Sequence, residues 1–326
     1  MSRLPATAED ETVTFLEAGA ETILAVATNP TAEPLGVGVV ILPGGGAPLT
    51  TGRNRFAVRL CRDLASSGFH TIRLDYHGAG ESTGSISRLR LDQPFVEDTE
   101  AAIRFLRLQG IDRIILVGSC FGARTALAAA ASSPEVTAVA LISCPVRDFE
   151  MGQQTAVLAA ERRSVWAYLA RGLHPHSLRQ LTKREVRSTY WRHAKAKVRH
   201  IRASRSPRDP GGRNVAGVSA RFLGQIQDLA ERAAPMYLIY GNEEYLYDDF
   251  QRAQRGALGD LLASMEARAT IAVLDGAVHA FTNVKLQDAV RDLIVDWTRR
   301  TAASGMDDRK DERSSSPDAV RSESGR

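Results

Sequence analysis

The residues best placed to do chemistry are in Gly118-Ser119-Cys120-Phe121-Gly122. A cysteine sulfur attacks an acyl carbon once a base takes its proton, and the attack leaves a covalent thioester. A nucleophile at the apex of a sharp strand-to-helix turn needs small residues two before and two after it, because the backbone there is strained. Cys120 has Gly118 and Gly122 at those positions. If Ser119 were the nucleophile, Val117 and Phe121 would crowd the turn. The register therefore selects Cys120. The competing reading is a buried, inert cysteine, the usual lot of a lone Cys.

The pentapeptide has to be held between a strand and a helix, and the flanking sequence provides both. Arg113–Val117 is a short run of branched apolar residues, which predicts a buried parallel strand. Beyond Gly122 the sequence turns Ala-rich, which predicts a helix. Further strands are expected at Thr12–Leu16, Thr22–Thr28, Gly36–Leu42, Thr71–Asp75, Ala138–Ser143, Met236–Tyr240 and Thr270–Leu274. Helices are expected at Asn54–Ser67, Asp92–Gln109, Asp248–Ala267 and Lys285–Arg300. This alternation predicts an α/β fold with a mostly parallel central sheet flanked by helices. The core is expected at residues 1–145 and 235–301, with a helical lid at 146–234 and a Ser-, Asp- and Arg-rich disordered tail at 302–326.

Composition is ordinary for a globular chain of 326 residues, with 44% hydrophobic and 25% charged residues and a net charge of +4. No apolar run reaches the length of a membrane span, and Met1–Asp10 has no signal-peptide core. Cys61, Cys120 and Cys144 are too scattered for a disulfide framework or a zinc site, so a reduced, cytoplasmic setting without a metal or other cofactor is expected. Charge is concentrated in the insertion. Thr182 and Glu185 make a capping box for a helix to about Ser204, and Lys183, Arg184, Arg187, Arg192, Lys195, Lys197, Arg199, Arg202, Arg205 and Arg208 follow one another closely. A solvated face explains such charge. So does a surface for an anionic partner: a phosphopantetheine- or CoA-bearing acyl donor, an acidic acyl carrier protein, or anionic lipid. No nucleic-acid-binding motif accompanies it.

The elbow resembles that of the α/β-hydrolase superfamily, with Cys120 where serine is usual. Two further segments share the resemblance. Pro43-Gly44-Gly45-Gly46-Ala47-Pro48 follows a strand and is not a phosphate loop, since it lacks the Gly-Lys-Ser/Thr ending. Asp75-Tyr76-His77-Gly78-Ala79-Gly80-Glu81-Ser82 resembles a structural turn of the lipase and serine-aminopeptidase-like groups. The combination is also similar to bacterial hydrolases associated with exosortase systems. The resemblance implies the order nucleophile, acid, histidine. The acid then falls in Gly241-Asn242-Glu243-Glu244, with Glu244 first and Glu243 as the alternative, and the base is His279 in Gly276-Ala277-Val278-His279. It also implies an oxyanion hole from the backbone N–H groups of Phe121 and of Gly45 or Gly46.

The expected chemistry is hydrolysis of a small-molecule ester or thioester through an acyl-cysteine. The alternatives are acyl transfer to an alcohol or amine, and a non-catalytic binding protein on the same fold. A helix N-terminus and an imidazolium next to Cys120 would lower its thiol pKa. The register is testable directly. Cys120→Ala should abolish turnover and Ser119→Ala should leave most of it, as measured with an activated ester. The reverse pattern would overturn the alignment.

Overall fold

Every residue of Val37–Leu42 is buried. This strand has a parallel neighbour on each side and helices over both faces, so alternate residues enter two different cores. Val39 and Ile41 enter one, and Val40 and Leu42 enter the other. The computed structural model describes residues 7, 10–44, 50–86, 88–149, 217–279 and 281–314, with side chains to 304. The strands are β1 (Glu11–Ala18), β2 (Glu21–Thr28), β3 (Val37–Leu42), β4 (His70–Leu74), β5 (Arg113–Ser119), β6 (Val136–Ile142), β7 (Met236–Gly241) and β8 (Ala269–Leu274). Among the described residues they form one eight-stranded sheet, ordered β1-β2-β4-β3-β5-β6-β7-β8. β1 pairs with β2 and β2 with β4 antiparallel, and every other pairing is parallel. The reversal of strand order around β3 and β5 opens the crevice in which such sheets place their sites.

Among the described residues the α-helices are α1 (Phe56–Ala65), α2 (Val96–Leu108), α3 (Phe121–Ser132), α4 (Ala220–Glu231), α5 (Tyr245–Ala253), α6 (Ala257–Ser264) and α7 (Val284–Ser314). α1 and α7 cover one face with Leu60, Leu64, Val290, Ile294 and Trp297, and α2 to α6 cover the other. α3 is buried over nearly its whole length, which is why its sequence is Ala-rich rather than amphipathic. No helix among the described residues is long and apolar enough to cross a membrane.

Three expectations change. The single helix expected over Asp248–Ala267 is two, α5 and α6, separated at Gly256, which is extended (φ −133°, ψ −149°). α4 lies inside the stretch assigned to the lid, yet Phe222, Ile226 and Leu229 are fully buried in the core. Its amphipathic period belongs to the sheet layer, so the core resumes before α4. α7 runs to Ser314, past the expected end near Arg300 and into the stretch read as a disordered tail. Low apolar content suggests disorder there, but Lys, Arg and Glu are good helix formers. The basic residues from Lys183 to Arg208 lie outside the described residues.

Where the insertion leaves and re-enters the core, a buried cation joins its two ends to α3. The Arg124 side chain is 1% exposed, pairs with Asp148 at 2.7 Å and donates to Pro145 O at 3.2 Å. It also reaches Arg147 O and Ser219 Oγ at 3.4 Å and lies over the Phe222 ring. Removing it leaves these acceptors without their donor. Arg124→Ala should therefore destabilise the fold by about 3 kcal/mol, the low end for a broken buried pair because Asp148 is partly solvated. Urea unfolding measures this, and a loss under about 1 kcal/mol would show the anchor to be dispensable.

Candidate active site

Cys120 stands between β5 and α3 in a conformation that L-residues rarely adopt, φ 50° and ψ −109°. The two glycines of the pentapeptide are what make it possible. A Cβ on Gly118 would sit 2.2 Å from Gly122 O, and one on Gly122 would sit 2.3 Å from Leu42 O. Neither contact can be relieved, because both obstacles are backbone. The turn is held by the Cys120 N–H donating to Ile142 O at 2.9 Å, and by the Ala123 and Arg124 N–H groups donating back to Cys120 O. Strain of this kind persists where the surroundings over-determine it.

His279 meets this apex from the other end of the chain, its Nε2 2.9 Å from Cys120 Sγ. Its loop is held from both sides. Behind it, Phe281 packs on Phe56 with ring centroids 4.5 Å apart, and Gln287 Nε2 donates to Phe281 O at 2.5 Å. In front, the buried Glu244 carboxylate takes four hydrogen bonds. Oε2 accepts from the backbone N–H of His279 (2.7 Å) and of Val278 (3.1 Å). Oε1 accepts from Ser143 Oγ (2.6 Å) and from the Gly241 N–H (3.1 Å). Among the described residues, no hydrogen bond joins this carboxylate to the imidazole ring. Burial lowers the His279 pKa, and Glu244, which grips the histidine by its backbone, opposes that shift through its charge on the ring. Tyr245 stands edge-on to the imidazole at 6.1 Å between centroids.

Glu244 is buried while Glu243 is exposed. The difference comes from the turn after β7. The Asn242 N–H donates to Leu274 O, the Glu243 N–H to Gly276 O, and the Asn242 side chain bonds both Asp275 and the Gly276 N–H. That clip leaves Glu244 at the N-cap position of α5 and directed inward.

Burial governs the protonation of the pair. It lowers the His279 pKa, with Glu244 opposing. It pushes the Cys120 thiol up to about 12, against the nearby Phe121 N–H, which pulls the other way. The expected activated thiolate is thus corrected: at rest the neutral thiol faces a neutral imidazole, because desolvation outweighs the helix terminus. Cys144 is also buried and its thiol is likewise pushed up to about 12.

Of the oxyanion candidates, Phe121 N–H sits beside the sulfur, whereas Gly45 and Gly46 lie outside the described residues. Gly44, the last described residue of their loop, lies against the elbow, and a Cβ there would be 3.2 Å from Ser119 Oγ. Asp75 and His77 have structural partners. Asp75 accepts from the Thr50 N–H at 2.5 Å, and His77 binds Asp98 through both its backbone N–H and its Nδ1. Sequence reasoning missed Ser143. The available signal was a small polar residue at the C-terminal end of a strand next to the nucleophile strand, where such sheets open their sites. Among the described residues, no group of three or more His, Cys, Asp or Glu is placed to hold a metal ion.

The parallel sheet with its reversal point, the strained elbow and the approaching histidine define an α/β-hydrolase enzyme. More narrowly, the chain belongs to the serine aminopeptidase S33 family, whose sequence profile matches residues 39–284. It carries cysteine at the apex of a family named for serine. Its structure is similar to an esterase from Pyrococcus furiosus, at 13% identity and a TM-score of 0.57, covering 92% of this chain and 98% of that one. It is also similar to the proline iminopeptidase of Mycobacterium smegmatis, at 16% identity and a TM-score of 0.54, covering 90% and 100%. The esterase domain of a Rhodothermus marinus protein gives 19% identity and a TM-score of 0.52, covering 89% and 98%. At these identities the likeness is one of fold. Among curated proteins none matches the sequence.

Thiols raised by folding have a consequence for stability. Cys120 and Cys144 move from an ordinary value of 9.0 to about 12. Their protonated forms are bound more tightly by the folded state, so this contribution is intact below pH 9.0 and is lost as pH rises toward 12. The melting temperature should fall across that window, and Cys144→Ala should make the fall shallower. An unchanged slope in that variant would mean that the Cys144 thiol ionises as freely as in the unfolded chain.

Proposed function

We propose that this chain hydrolyses an ester or thioester through an acyl-cysteine, with Cys120 as nucleophile, His279 as base and Glu244 as the acid that holds the base. One contact carries the reading: Cys120 Sγ and His279 Nε2 stand 2.9 Å apart at the apex of a strained turn. A base that close to the sulfur is within proton-transfer reach.

Because the pair rests neutral, the proton moves as the bond forms. His279 Nε2 takes the thiol proton while sulfur attacks the acyl carbon, and negative charge collects on the former carbonyl oxygen. The Phe121 N–H, with Gly45 or Gly46 as the resemblance implies, holds that oxygen, each donor contributing about 3 kcal/mol. Collapse expels the alcohol or thiol, which leaves with the proton from the imidazolium, and the acyl group remains on Cys120. Water then attacks the thioester, giving its proton to His279. Cleavage of the C–S bond returns that proton to sulfur and releases the acid. Glu244 stabilises the transient imidazolium by its charge and keeps the ring in place through the His279 N–H.

An alcohol or amine in place of water would turn the same residues into an acyltransferase. The basic run from Lys183 to Arg208 favours an anionic acyl donor, CoA or carrier-bound, for that reading.

Intact mass spectrometry after mixing with neutral aryl esters and acyl-CoA thioesters tests the scheme. An acyl adduct should form on Cys120 and be absent in Cys120→Ala and His279→Ala. Glu244→Gln should slow turnover about 100-fold or more, and Glu243→Gln less than about 2-fold. The acid limb of kcat/KM should have its midpoint below 6.5, because burial lowers the pKa of the imidazole that must be neutral to accept the proton. No adduct with any donor, or an adduct that survives Cys120→Ala, would remove the proposal.

A further inference from the structure

The buried hydroxyl at the end of β6 has no role in the scheme above, and its setting is unusual. Ser143 is 1% exposed and has φ 45°, the left-handed region that L-residues avoid. The strand end does not need its side chain. The Ser143 N–H already donates to Ile239 O at 2.7 Å, and Tyr240 OH donates to Cys144 O at 2.8 Å. Both bonds tie residues 143 and 144 to β7 through their own main-chain atoms, without the Ser143 side chain. What the left-handed backbone accompanies is a hydroxyl 2.6 Å from Glu244 Oε1. A backbone cost kept at a site, with its side chain spent on one functional group, points to positioning rather than to stability.

The remaining donors to Glu244 show what the hydroxyl adds. Gly241, Val278 and His279 contribute backbone N–H groups from the same two loops that Glu244 joins. Ser143 comes from a third element, β6, which also accepts the Cys120 N–H through Ile142 O. It therefore refers the carboxylate to the nucleophile strand. We infer that Ser143 is a positioning residue, its hydroxyl fixing the Glu244 carboxylate and through it His279 relative to Cys120. For catalysis this rests on the hydrolase reading; for the geometry of the pair it does not.

The experiment compares Ser143→Ala, Ser143→Gly, Glu244→Gln and Ser143→Ala/Glu244→Gln. Glycine relaxes the left-handed backbone while also losing the hydroxyl, so agreement between the Ala and Gly variants isolates the hydroxyl from strain. The first readout needs no substrate: the titration midpoint of the His279 ring by NMR. Among the groups facing the ring, Cys120 rests neutral and Tyr245 packs edge-on, which leaves Glu244 as the charge that raises the midpoint. Glu244→Gln should lower it, and both Ser143 variants should lower it by less. Adding Ser143→Ala to Glu244→Gln should change nothing more, because coupled residues fail to add. The second readout is kinetic: kcat should drop about 10-fold in both Ser143 variants with KM within about 2-fold, as for a residue acting on the reacting groups. Wild-type His279 midpoints in two folded Ser143 variants would overturn the inference. So would failure of both to fold, which would make the hydroxyl structural, or an equal Ser143→Ala effect with and without Glu244. If the midpoints move as expected but no ester or thioester is turned over, the hydrolase reading fails and the positioning role stands.

Discussion

The turn at Cys120 is the constraint on which the site depends. To present one side chain at the end of a buried strand, the chain has to reverse from β5 into α3 within two residues, and it does so with a non-glycine residue at φ 50°. Such a conformation costs on the order of 1–3 kcal/mol. It survives because the neighbouring backbone leaves no alternative: Gly122 is pressed against Leu42 O on β3 and Gly118 against Gly122 O. Three elements meet there at main-chain contact, which only glycine permits. The parallel sheet serves this junction, since β3, β5 and β6 end at one level, where Leu42, Cys120 and Ser143 converge.

Around that apex the protein favours uncharged groups. Desolvation raises the Cys120 thiol and lowers the His279 imidazole, so both rest uncharged. A thiolate formed early would be a stronger nucleophile, but it would have to be stabilised in an interior where Cys120 is 4% exposed. Glu244 answers the complementary need. It accepts backbone N–H groups from the His279 loop without a bond to the ring, and its charge opposes the lowering of the ring's pKa by burial.

The insertion shows how the same core carries an added segment. Arg124 lies one helical turn beyond Cys120 and reaches both ends of the insertion, while Arg147 at its start pairs with Asp249 on α5 at 2.6 Å. Among the described residues, the ends of the insertion are thus tied to the helices that follow Cys120 and Glu244.

The sequence by itself determined what depends on local pattern. Branched runs bounded by turns gave the strands, the glycine spacing singled out Cys120, and the resemblance placed His279 and Glu244 in chain order. It erred where the decision was not local. α4 was merged with the lid because its charged surroundings hid the buried face of Phe222, Ile226 and Leu229. The thiol was expected to be acidic because a sequence shows the helix terminus but not the burial that outweighs it. The sequence marks Ser143 only as a small polar residue at a strand end, because its partner is 101 residues away, and Cys120 and His279 are 159 apart. Their meeting is set by the strand order β5-β6-β7-β8, which brings the ends of distant segments side by side. The residue types and their order were written in the chain. Which of two adjacent glutamates turns inward, what it binds, and whether the nucleophile rests charged were decided only when the sheet closed over them and removed the water.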